Sequence, residues 1–196
     1  MPETYSRVGF RENVFAELEA DTSAALTYKP KRTEVVEAIN FDIAPQNADP
    51  DVQYAEDVES DVLYPDPELV GTIEAKELPM TLRAWMLGHK IDTNGVMIEK
   101  AGDQGPYFAY GFKSKKRNGA DRYVWLYKCR ASEMSETFRT KEGKTQTRQT
   151  DKIQITAIKR TKDGEYRAQV DSDTAAFATA AATFFDAPYA AAYPAG

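Results

Sequence analysis

The stretch GPYFAYGFKSKKRNGADRYVWLYK, residues 105 to 128, decides how the rest of the chain is read. Phe108, Tyr110 and Phe112 fall on one side of a period-two pattern and Tyr107, Ala109 and Gly111 on the other, which marks a strand. Further on, Tyr123, Trp125 and Tyr127 alternate with Val124 and Leu126. Both sets are bulky, so this second strand is expected to be covered on both faces. Asn118-Gly119 tolerates the positive backbone angles of a tight reversal, so the two runs are expected to close as an antiparallel hairpin. Its tip carries Lys113, Lys115, Lys116 and Arg117, which the pattern places in solvent.

On either side of this hairpin the same period recurs. Val35, Ile39, Phe41 and Ile43 suit a strand over residues 33 to 44, APQNADPD breaks it, and an acidic extended stretch follows at 54 to 62. Leu69 to Ala75 reads as another strand. The period then changes: Leu78, Leu82, Trp85 and Met86 recur at helical spacing between Pro79 and Gly88, predicting a helix near 79–87. HKIDTNGVMIEK is a small unit turning on Asn94-Gly95. Residues 147–160 and 165–171 are expected to form a second hairpin closed at Asp163-Gly164. Phe177, Ala181, Phe184 and Phe185 predict a second helix over 174–185. Residues 1–32 read as an extended N-terminal arm and 187–196 as a mobile C-terminal tail, leaving 33–186 as the core of one domain spanning 1–196.

A chain of 196 residues is long enough for one domain to bury most of its surface. No run approaches a membrane span and no secretory signal is evident, so a chain without a membrane partner is expected. Cys129 is alone and reads as a core thiol. The net charge of −6 disfavours a free-standing nucleic-acid binder. Its distribution says more. Between Arg32 and Lys76 there is no lysine or arginine, while Glu34, Glu37, Asp42, Glu56, Asp57, Glu59 and Asp61 lie in that interval; most of the cations come later. An acidic part and a basic part on one chain can attract each other between copies, so self-association is expected.

The marks of an enzyme are missing. His89 is the only histidine, placed at a helix end where it can satisfy a carbonyl, and this argues against a histidine triad or a multi-histidine metal site. Neither glycine-rich phosphate motif occurs. Counting an EF-hand loop from Asp49 or Asp51 puts Tyr54 or Glu56 where its glycine belongs, so the acids read as a solvated face. No catalytic, cofactor or metal residue is assigned. Two other classes compete with self-association: a single-strand nucleic-acid binder that stacks bases on Phe108, Tyr110, Phe112, Tyr123, Trp125 and Tyr127 beside the basic tip, and a carbohydrate-binding sandwich with an exposed aromatic face.

Taken in order, the helix LRAWMLGH, the turn unit NGVMIEKA, the pair PYFAYGFKSKK and RYVWLYK, and the late Asp163-Gly164 turn make residues 54 to 171 resemble the phi13-type major tail proteins of long-tailed, non-contractile bacteriophages. The resemblance implies a mainly β fold (α+β), a tail-tube sandwich or barrel of two antiparallel sheets with a flanking helix, terminal arms and a long inter-strand loop near residues 45–53. It implies a non-enzymatic virion subunit that forms hexameric rings stacked into a hollow tube and is assembled in the host cytoplasm. Its implied partners are further copies of itself, the tape-measure protein, and the tail-tip and tail-terminator proteins, with double-stranded DNA passing through the lumen unbound. The alternative within the virion is a terminator or distal tail ring. In a tube, Lys113, Lys115, Lys116 and Arg117 are expected at subunit contacts. Glu34, Glu37, Asp42, Glu56, Asp57, Glu59 and Asp61 are expected near the lumen or at ring contacts, because a wall that passes a polyanion must not hold it.

Overall fold

The computed structural model describes residues 6–32, 34, 36–46, 51–55, 58–63, 66, 68–138, 140, 149–177, 180–181 and 183–192; for residues 51–55, 58–61, 63 and 133 it describes the backbone path alone. In chain order the strands are β1 (Arg11–Asp21), β2 (Leu26–Tyr28), β3 (Ala38–Gln46), β4 (Asp51–Ala55), β5 (Val58–Leu63) and β6 (Glu68–Ala75). After the helix α1 (Met80–Leu87) come β7 (Lys90–Ile91), β8 (Met97–Ile98), β9 (Phe108–Lys115), β10 (Asp121–Ser135), β11 (Asp151–Ile158) and β12 (Arg167–Asp171). The fold is mainly β with one flanking helix, as expected.

The quoted hairpin is β9 and β10, and it lies at the centre. Gly111 faces Trp125, Tyr110 faces Leu126 and Lys113 faces Tyr123 across the pair. Gly119 turns the tip with φ of 89°, a conformation that a side chain would strain. A Cβ on Gly111 would sit 2.8 Å from the Trp125 ring, so glycine is what lets that indole lie flat across the neighbouring strand.

The two layers expected as two sheets belong to one continuous antiparallel sheet, in the order β2-β1-β9-β10-β11-β6-β3 with β12 also on β10. This sheet rolls over on itself. Phe41, on β3 at one end, meets Tyr110 and Phe112 of β9 with ring centroids 5.2 and 5.3 Å apart, although three strands separate β3 from β9 in the order. The enclosed core holds Phe15, Ile73, Phe108, Tyr110, Leu126 and Ile153, and α1 closes it with Leu82 and Met86. Trp125, Tyr123 and Tyr127 point to the other face of the sheet, where Phe177, Phe184 and Phe185 cover them.

Three elements differ from the reading of the sequence. Residues 11–21 are no arm: β1 sits between β2 and β9, with Phe15 and Ala16 both buried. The Asp163-Gly164 turn closes no hairpin. β11 pairs with residues 128–135 of β10 and β12 with residues 122–126, both antiparallel, so the two lie end to end along one edge of β10. Residues 159–166 are a protruding loop between them, pinched where Arg160 N–H donates to Glu165 O at 2.8 Å. Finally, residues 174–185 contain a single 3-10 turn, Ala175–Phe177, and a run of further tight turns; no α-helix occurs there among the described residues. Tertiary packing overrides helical propensity at this point, since Trp125 Nε1–H donates to the carbonyl of Phe184 at 2.9 Å while three phenylalanines seat on the sheet. The tail does not leave the body directly: Tyr189 stacks on Phe184 and its carbonyl accepts from the Tyr127 hydroxyl at 2.7 Å.

Between β3 and β6 the chain makes an excursion. β3 and β6 pair from Ala38 with Ala75 to Gln46 with Glu68, and beyond that point β4 and β5 pair with each other in a separate two-stranded sheet. Of the region expected as a loop over 45–53, residues 45–46 end β3, residues 51–53 lie in β4, the first limb of a hairpin arm, and residues 47–50 lie outside the described set.

Candidate assembly surface

At the hairpin tip the four cations have unlike fates. Lys116 turns back into the subunit, where its ammonium lies 3.0 Å from Asp171 and 2.9 Å from Asp173. Asp171 also takes the Arg122 guanidinium at 2.6 Å. The Arg122 guanidinium, opposed by burial and helped by Lys116, holds the Asp171 carboxyl down to about 2. Lys113 pairs with Glu12 and lies over the Tyr123 ring, 4.8 Å from its centroid. The expectation that these two lie in solvent is therefore corrected, because the sheet brings carboxylates from β1, from the end of β12 and from just beyond it to the base of the tip. Lys115 and Arg117 are exposed and take no carboxylate among the described residues. Their backbones are fixed by Lys115 N–H to Gly9 O at 3.1 Å and Arg117 N–H to Ser6 O at 2.9 Å.

The acidic set divides in the same way. Glu34 pairs with Arg32, and Glu37 lies 2.7 Å from Lys76. Asp42 is exposed on β3 and accepts from the Asn40 amide at 2.6 Å. Glu59 and Asp61 are in β5, while Glu56 and Asp57, at the turn of the arm, lie outside the described residues. The fold thus gathers Glu59 and Asp61 on a projecting hairpin and keeps Glu34 and Glu37 at the body.

A second ionic group, which no local signal in the sequence marks, lies at the end of β1. Asp21, at the end of β1, accepts from the Lys128 ammonium at 2.6 Å and from the Thr161 and Lys162 amides at 2.8 and 3.1 Å. Burial alone would raise its carboxyl, but these donors bring it down to about 2. Arg160, with its side chain 2% exposed, pairs with Asp163 and Glu165 and lies 3.8 Å from the centroid of Tyr127. Burial also pushes the Tyr28 hydroxyl up to about 12, against the neighbouring Arg160. Together these contacts tie the 159–166 loop to β1 and β10. They are structural, since every charge in them is answered inside the subunit.

His89 is held by carboxylates and not by a carbonyl: its Nδ1 is 3.0 Å from Asp103 and its Nε2 is 3.8 Å from Glu99. Burial pushes the Cys129 thiol far up, which leaves it inert. Phe108, Tyr110, Phe112, Tyr123, Trp125 and Tyr127 are all buried, so none offers a face on which a base or a sugar could stack. In comparisons with known proteins, no family model matches the chain and no curated protein matches it.

Proposed function

We infer that the chain is a self-assembling structural subunit, the tube-forming major tail protein of a long-tailed phage, as its sequence resemblance implies. The observation that carries this reading is the arm. A lone two-stranded hairpin is marginal in water, and β4 and β5 form one away from the main sheet. An acidic hairpin of this kind calls for a surface on another molecule, and the same chain supplies cations that its own carboxylates leave unpaired. Copies of the subunit close into hexameric rings and the rings stack into a tube. The tape-measure protein and then double-stranded DNA occupy the lumen, with tail-tip and terminator proteins at the ends.

The covered aromatics speak against a single-strand binder or a sugar-binding face. Lys115 and Arg117 meet an acidic surface of a neighbouring copy, so the Lys115→Glu, Arg117→Glu double variant should keep the circular dichroism of the parent and lose concentration-dependent light scattering. Its single-strand oligonucleotide binding, followed by fluorescence anisotropy, should be as weak as the parent's. Scattering equal to the parent's removes the tip from the assembly surface; tight, salt-sensitive oligonucleotide binding by the parent replaces the whole reading.

A further inference from the structure

Two asparagines precede glycine, in Asn94-Gly95 and Asn118-Gly119, and each pair lies at the tip of a turn. The dipeptide carries a chemistry of its own. The backbone nitrogen of the glycine can attack Cγ of the asparagine: the N–Cγ bond forms, the Cγ–Nδ2 bond breaks, and ammonia leaves with the proton of the attacking nitrogen. Water then opens the five-membered imide at either carbonyl, giving aspartate or isoaspartate. Glycine favours the first step because it has no Cβ to block the approach and its backbone turns freely. Both turns meet that condition, with glycine φ of 81° and 89° and nothing within 4 Å of where a Cβ would lie. The attacking N–H is alike as well, donating to Asp92 O at 3.1 Å in Gly95 and to Lys116 O at 3.0 Å in Gly119.

The asparagine side chains separate the two. Asn118 is held at both ends: its Oδ1 accepts from the Ala120 N–H at 3.1 Å, and its Nδ2 donates to Asp173 at 3.2 Å. Asp173 is fixed in turn by the buried Lys116 ammonium at 2.9 Å. This turn also closes β9 and β10, whose ladder lies in the middle of the main sheet. Asn94 is exposed, and its amide makes one long contact, 3.4 Å from Nδ2 to Asp92. Its turn closes β7 and β8, two residue pairs in a small sheet of their own. Opening such a turn costs far less than opening the centre of the main sheet.

We propose that Asn94 is a self-modification site, converting to aspartate and isoaspartate in the folded chain, while the fold protects the chemically equivalent Asn118. The product is a second form of the subunit with an added negative charge beside Asp92. In the isoaspartate form the backbone is a methylene longer at the turn, which disturbs the Asn94 and Val96 amides that donate to Asp92 Oδ1 at 2.8 Å. This chemistry belongs to the single subunit and needs no second copy.

The test follows the full-length chain in dilute, mildly alkaline buffer, folded and, in parallel, unfolded in concentrated urea. Trypsin releases the two asparagines on separate peptides, 91–100 and 118–122, and mass spectrometry reads the gain that marks an amide turned to an acid. In the folded chain Asn94 should convert several-fold faster than Asn118, and in urea the two rates should draw together. Asp173→Ala removes the acceptor of the Asn118 amide while Lys116 keeps Asp171, so it should speed Asn118 in the folded chain and leave Asn94 unchanged. Equal rates in the folded chain, or Asn118 converting first, overturn the proposal. A ratio as large in urea as in the folded chain assigns the difference to local sequence and overturns the protection by the fold. An Asn118 rate indifferent to Asp173→Ala removes the clamp on which that protection is argued and overturns it too.

Discussion

Single residues explain why the central hairpin packs as it does. Trp125 is fully buried because Gly111 opposite it has no side chain. Gly111→Ala should cost about 2 kcal/mol in urea unfolding, because the new methyl meets a ring that is itself packed against Phe185. Gly9→Ala, whose Cβ would meet nothing nearer than 3.4 Å, should change stability little. Acid acts on two other residues. The carboxyls of Asp21 and Asp171 titrate at about 2 in the folded chain, below their ordinary 3.8. Their stabilisation is thus complete above about pH 4 and is lost as the pH falls through about 2, at most about 1 kcal/mol each after solvent screening. Urea midpoints should fall over that window, and Asp21→Asn should flatten part of the fall. At this scale the sequence conceals partnership: Lys113 and Lys116 read as solvent charges because the carboxylates that receive them, Glu12, Asp171 and Asp173, come from distant parts of the chain.

Among the elements, those with local signals were legible and those decided by distant partners were not. β9 and β10 declare themselves by alternation and Asn118-Gly119, and α1 by the spacing of Leu82 and Met86 with Gly88 closing it at φ of 80°. β1 is hidden by Glu17, Glu19 and Asp21, which look like solvated positions. Yet Glu17 takes Lys29 at 2.5 Å and Trp85 Nε1 at 3.0 Å, and Asp21 takes Lys128, so a polar strand is held inside the sheet. Asp163-Gly164 signals a turn truly, but no local signal tells a reversal from a loop that rejoins its own line. The candidate surface was legible as charge and not as geometry, because Lys115 and Arg117 separate from Lys113 and Lys116 only once the partners of the latter two are known. The arm provides the test at this scale. Replacing residues 51–63 by a glycine-serine linker should leave the melting temperature within a few degrees of the parent's and abolish assembly, whereas deleting residues 1–32 removes β1 and should prevent folding, as circular dichroism would show.

At the scale of the whole molecule, the body and the projecting surfaces divide the labour. A rolled sheet is filled by aromatic and aliphatic side chains and ties many of its charges into internal ion pairs, while on the proposed reading the acidic arm and the exposed Lys115 and Arg117 meet a neighbouring copy. Salt screens such contacts over about 8 Å at physiological ionic strength, so assembly should weaken as salt rises. The most direct measurement is electron microscopy of the purified full-length chain over a rising concentration series, with no nucleic acid added. Long hollow tubes of stacked sixfold rings are the predicted result; single closed rings, or monomers at every concentration, would contradict it.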